Sequence, residues 1–193
     1  VGNNLQTVLS IISLQATTET HEQTLAALER LSLRIQSLAQ TQDLVYDSED
    51  LGEIEIGEQL RQLANQWRHR GAQSLESYGP ASLARTSAKQ AVPLGIIAEE
   101  FLQLRHDADT GCEDGNTIFS WWREGRAVKL SVEFGGPALR DQRRHRQPVH
   151  ESMTLVEVLT GQLNAEVEWL YDTTNRATLS LTLPHAPNIP DSC

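Results

Sequence analysis

The chain has 193 residues, enough for a two-helix hairpin and one domain of ordinary size. Its 26 acidic against 16 basic residues leave a formal net charge of −10, which argues against a nucleic-acid-binding body, because neutralising phosphates needs an excess of Lys and Arg. No run of about 18 apolar residues occurs, so no segment is read as spanning a membrane. Cys112 and Cys193 lack metal-like spacing and read as free thiols of a reducing cytosol.

The first segment sets the organisation. Leu5, Val8 and Ile12 recur at steps of three and four, with Leu9 and Ile11 widening the stripe; Leu28, Leu31, Ile35, Leu38 and Val45 continue the rhythm after a polar break. That spacing lays apolar residues along one side of a helix. Two antiparallel helices are predicted, Val1–Ala16 and Thr20–Asp43, the second opened by a capping box of Thr20 and Gln23. Such a hairpin cannot cover its own stripe, so the rest of the chain or a second copy must do so.

Residues 47–57 are acidic and Gly-containing and read as a linker ending in a short strand near Ile54–Ile56. Glu58–Arg70 carries Leu60, Leu63, Ala64 and Trp67 on one helical face. Ser74–Tyr78 and Ala81–Thr86 flank Gly79-Pro80 and predict a two-strand hairpin. Ala91–Arg105 is a second helix of this part, with Pro93 placed in its first turn, where a missing N–H costs nothing. Thr117–Arg123 and Ala127–Phe134 are strands about Glu124-Gly125-Arg126. Their alternation suits a sheet with one face under helices, and it turns Trp121 and Trp122 to opposite faces, so that one is a candidate interface anchor. Met153–Leu163 is a third helix, with Asn164 able to take a left-handed end conformation. Glu166–Tyr171 and Ala177–Leu183 form a last strand pair before a Pro-rich tail. The predicted class is α+β: a helical hairpin over 1–46, a linker over 47–57, an α/β sandwich over 58–184 and a tail over 185–193.

Val1-Gly2-Asn3-Asn4-Leu5-Gln6, followed by Ser10-Ile11-Ile12-Ser13-Leu14-Gln15-Ala16, resembles the dimerisation helix of the HWE-related class of sensor histidine kinases, which reads His-x-x-x-Asn-Asn-Leu-Gln. Arg34-Ile35, Leu38-Ala39 and Leu44-Val45-Tyr46 are similar to the second helix of that module. The resemblance implies a four-helix bundle across a dimer, with the phosphorylated His two residues before Val1 and Asn3 and Asn4 as its motif neighbours. With that His and an initiator Met both lacking, the chain is read as a fragment. The later element order is similar to the Bergerat-type ATPase domain of the same proteins, with Val92-Pro93-Leu94-Gly95-Ile96-Ile97 and Leu130-Ser131-Val132-Glu133 as anchors.

On that resemblance, the nucleotide site is degenerate. The family helix Asn-Glu-Leu-Val-x-Asn-Ala-x-Lys-His corresponds to Glu99–Ala108. Glu100 is kept, whereas the Mg²⁺-binding Asn has become Leu104, which has no lone pair to offer. The adenine-binding Asp has become Phe134. The glycine loop keeps Gly136 but loses its last Gly, and the lid segment Arg140–His150 contains no Gly. Taken by itself, Glu100 reads as a solvated carboxylate, and Leu104 and Phe134 as core residues filling a vacated pocket. Arg140, Arg143, Arg144, His145 and Arg146 form a basic cluster that reads either as a solvated loop or as a contact for an acidic partner. The six histidines show no metal-ligand spacing, and neither a metal nor a cofactor is expected.

The resemblance therefore implies a cytoplasmic, homodimeric histidine phosphotransfer protein that exchanges phosphoryl groups with response-regulator receiver domains and lacks ATP-dependent kinase activity. Two alternatives stay open: a sensor histidine kinase with a divergent ATP pocket, and a non-catalytic pseudokinase scaffold that binds a response regulator.

Overall fold

A computed structural model describes residues 2–47, 53–70, 75–108, 116–135, 146–171 and 176–183. The α+β class and the helix pair preceding a mixed sheet are as expected. Helices α1 (Gly2–Thr18) and α2 (Glu22–Asp47) pack together. The capping differs from expectation: α2 starts two residues beyond Thr20, and the Glu19 carboxylate accepts both the Thr20 and His21 backbone N–H groups at 2.8 Å. Both bonds fall on one oxygen of the carboxylate, whose negative charge suits donors at the positive end of the helix better than a neutral hydroxyl does. The same bonds hold the Glu19 carboxyl below the usual range.

Strand β1 (Glu53–Glu55) enters helix α3 (Ile56–His69), so Ile56 and Gly57 already belong to the helix. Strands β2 (Leu75–Tyr78) and β3 (Arg85–Ser87) do not form the expected hairpin. Instead β3 pairs antiparallel with β1, and β2 pairs parallel with β4 (Thr117–Glu124) at the sheet edge. The turn from β2 to β3 is held from outside: Glu55 accepts the Leu83 and Ala84 N–H groups at 2.6 and 2.8 Å, and the Trp121 indole donates to Pro80 O at 2.9 Å. Helix α4 (Ala88–Ala108) begins three residues before its expected start. Pro93 therefore lies beyond the first turn, where it removes a bond that Lys89 O would otherwise accept.

Strands β4 and β5 (Ala127–Gly135) form the expected hairpin, with Gly125 at φ 58° in its turn. Helix α5 (Arg146–Leu163) starts earlier than Met153 and ends on Asn164, whose φ of 49° is the left-handed conformation expected of it. Strands β6 (Glu166–Tyr171) and β7 (Arg176–Leu183) complete a five-stranded sheet in the order β2-β4-β5-β7-β6. Phe119, Trp121, Val128, Leu130 and Val132 point from this sheet into one core with Leu60 of α3, Leu94 and Phe101 of α4 and Val156 of α5. Trp122 faces the opposite side and is 38% exposed.

The hairpin lies outside that core. Among the described residues, none of the clustered core side chains comes from α1 or α2, although Ile12 and Ala39 are buried. Val8, Ile11, Leu14 and Leu31 are 40, 52, 68 and 42% exposed, so a single chain leaves much of the stripe uncovered.

Gly57 sits beneath the chain that leaves β2. A Cβ there would lie 2.2 Å from Pro80 O and 2.4 Å from Ala81 O, backbone atoms that cannot step aside. Gly57→Ala is expected to destabilise by about 1–3 kcal/mol through overpacking. Gly161→Ala in α5, where a Cβ meets nothing within 4 Å, should stabilise by about 0.5–1 kcal/mol. Urea midpoints of the two variants should move in opposite directions.

Candidate functional site

Helix α4 is apolar through most of its length, with Ala91, Leu94, Ile97, Ala98, Phe101, Leu102 and Leu104 all buried. In its middle stand two adjacent carboxylates, Glu99 and Glu100, each with 2% of its surface exposed. Consecutive helical residues diverge by about 100°, and the two acids accordingly leave in different directions. Glu99 turns toward α3, accepting the Trp67 indole N–H at 3.0 Å and an Arg70 N–H at 3.2 Å. Arg70 lies 5.8 Å from the centroid of the Trp67 ring and donates through its other nitrogen to Gln36 Oε1 at 2.5 Å. Glu100 turns toward α2, where Arg34 donates to both of its oxygens, at 2.5 and 3.0 Å. The expectation of a solvated Glu100 is thus overturned: it is a buried, two-point ion pair. Beside this network a crevice of about 340 Å³ is lined by Gln6, Leu9, Gln36, Ala39, Gln66, His69 and Arg70.

One turn further along α4, Leu104 is 2% exposed within the apolar core among Phe101, Leu102 and Phe119. The clustered side chains around it are apolar and carry no metal-ligating atom. Phe134 lies on β5, paired with Thr117 on one side and Ala177 on the other. Thr117 is fully buried, and its hydroxyl finds no partner among the described residues. Gly136, Arg140, Arg143, Arg144 and His145 lie outside the described residues, as do the side chains of Phe134, Arg146 and Asn3. Asn4 is exposed in the first turn of α1. Among the described residues no three His, Cys, Asp or Glu side chains gather as metal ligands would, and no helix is long and apolar enough to cross a membrane.

Sequence reasoning passed over Arg34, Trp67, Arg70 and Glu99 as a connected set. The signal was present: two neighbouring acids inside the apolar run from Ala91 to Leu102 must find cations or donors once buried. Their partners, 29 to 66 residues away, carry no mark of that pairing.

The family model HisKA_2, described as histidine kinase, matches residues 1–70. Comparison with curated proteins finds no match. Among solved structures, the histidine kinase domain of a blue-light activated histidine kinase from Erythrobacter litoralis superposes with a TM-score of 0.64 at 17% identity, over 93% of this chain and 86% of that one. The chain spans 62% of the longer form of that kinase, with a TM-score of 0.60. The nucleotide-free catalytic domain of the histidine kinase ThkA matches with a TM-score of 0.53 at 11% identity, over 70% of this chain and 97% of that one. The chain is thus similar to histidine kinases over its hairpin by family model and over nearly its whole length by fold.

Burial pushes the Glu99 carboxyl above the usual range, against the opposing pull of Trp67 and Arg70, while the neighbouring Glu100 charge adds to the rise. A raised carboxyl in the folded state favours folding at low pH, and that contribution fades as pH climbs through the folded midpoint. Glu99→Gln keeps an oxygen to accept the Trp67 bond and removes the titration. Wild type should therefore lose stability relative to Glu99→Gln as pH rises from about 4.5, measured by urea midpoints across that range. The Glu99 carboxyl carbon should titrate above an exposed glutamate in an NMR series.

Proposed function

We propose that this chain is a histidine phosphotransfer module of two-component signalling, derived from a histidine kinase whose second domain has lost its nucleotide site. The observation that carries the reading is Leu104: the residue aligned with the family's Mg²⁺ ligand is an apolar side chain closed inside the core. Phe134, aligned with the adenine-binding Asp, has no oxygen to accept the adenine amino group. Residues 1–46 would serve dimerisation and phosphotransfer, and 58–184 would be a docking body rather than an ATPase. Arg143, Arg144 and Arg146 offer positive charge to an acidic partner surface. The working form would be a cytoplasmic homodimer, its two hairpins joined in a four-helix bundle over the exposed Val8, Ile11, Leu14 and Leu31.

The chemistry follows from the hairpin motif. The resemblance would put a His two residues before Val1, one turn above Asn3. Its imidazole nitrogen attacks the phosphorus of a receiver-domain aspartyl phosphate, so that the N–P bond forms as the P–O bond breaks and Asp leaves as carboxylate. Transfer to a second receiver reverses the step. Such exchange depends chiefly on holding the two groups in line, which a docking surface supplies. A kinase with a divergent pocket would instead need to bind ATP, and a scaffold would need no His.

Two measurements separate these readings. Each lost charge-assisted contact is worth about 1.5–3 kcal/mol, so losing two weakens nucleotide binding about a hundredfold or more. Calorimetry with ATP and Mg²⁺ should show no binding at low micromolar concentration; a low-micromolar dissociation constant would favour the kinase reading. Light scattering should give a dimer mass at micromolar concentration, and Leu31→Asp with Ile35→Asp should give monomers. A wild-type monomer would remove the bundle from the account.

A further inference from the structure

We propose that the Arg34–Glu100 ion pair is a clamp that fixes the second domain against α2, so that the hairpin and the sheet domain present one rigid surface to a docking partner. The clustered core ends at α4, and among the described residues no side chain of α1 or α2 enters it. Toward α3 the boundary is an open crevice of about 340 Å³ lined by Leu9 and Ala39 together with Gln6, Gln36, Gln66, His69 and Arg70.

Polar contacts bridge that boundary, and two of them carry charge. Arg34 grips Glu100 through two nitrogens, and Arg70, itself held by Glu99, reaches Gln36 at 2.5 Å. The Glu100 side chain is 3% exposed and that of Arg34 30%. Breaking the pair while α2 stays packed on α4 would strand a desolvated carboxylate, whereas Arg34, at 30% exposure, could turn to water. A cost concentrated in one buried group gives the interface two arrangements, closed or released, with little between them. The fork geometry of the guanidinium adds direction, because two parallel bonds fix the angle between the elements as well as the distance. Any use of this rigid surface for receiver docking rests on the phosphotransfer reading; the clamp itself rests on the ion pair and on a clustered core that takes no side chain from the hairpin among the described residues.

The test measures distance rather than phosphate. With Cys112 and Cys193 replaced by Ser, spin labels are placed at Thr24→Cys on α2 and Gln162→Cys on α5, both exposed positions. The labelled protein is diluted with unlabelled chain, so that pulsed dipolar spectra report distances within one molecule. Wild type should give one narrow distance peak. Arg34→Ala should lose that peak to a broad distribution while circular dichroism still reports a folded protein. Glu100→Gln, which removes the buried charge and lets Arg34 hydrate, should broaden it likewise and serves if Arg34→Ala does not fold. A broad wild-type distribution, or a narrow peak retained by a folded Arg34→Ala or Glu100→Gln, would overturn the proposal. None of these outcomes depends on whether the extended chain accepts phosphate, so failure of the clamp and failure of the phosphotransfer reading are separately visible.

Discussion

Two adjacent buried carboxylates on α4 are the constraint around which the rest of this structure is arranged. A buried carboxylate without a partner is a large penalty, and removing the partner of a buried ion pair typically costs about 3–5 kcal/mol. Glu99 therefore draws Trp67 and Arg70 from the end of α3, and Glu100 draws Arg34 from α2. These pairs need not make the protein more stable than an apolar helix would. They make one arrangement of three helices acceptable and most others unacceptable, which is a statement about specificity.

The same helix links the fold to its reading as a relay component. Its Glu100 carboxylate is taken up by an arginine of the hairpin, and the next turn closes over Leu104 in the core. In the structure this helix carries the polar contacts to both α2 and α3. The hairpin keeps its own unfinished surface, since Ile11 and Leu14 are more than half exposed in a single chain.

Much of the fold was legible in the sequence because periodicity and end signals are local. The rhythm of Leu60, Leu63, Ala64 and Trp67 placed α3, alternation around Gly125 placed the β4–β5 hairpin, and Asn164 marked the end of α5. Pairing is not local, and there the reading failed: strands β2 and β3 look like a hairpin about Gly79-Pro80, yet their partners are β4 and β1. Thr20 looked like a cap until Glu19, one residue earlier, supplied a better acceptor. At the candidate site the loss of lone pairs at Leu104 is visible from residue type alone. The burial of Glu100 was not, because it depends on an arginine 66 residues away.

The central claim is that phosphate reaches this module from a receiver domain and not from ATP. It is tested most directly on the chain extended upstream to include the residue two before Val1, incubated separately with labelled ATP·Mg²⁺ and with a receiver domain carrying labelled aspartyl phosphate. The account predicts acid-labile label on the extended chain from the receiver and none from ATP. Label acquired from ATP, or none from any cognate receiver, would contradict it.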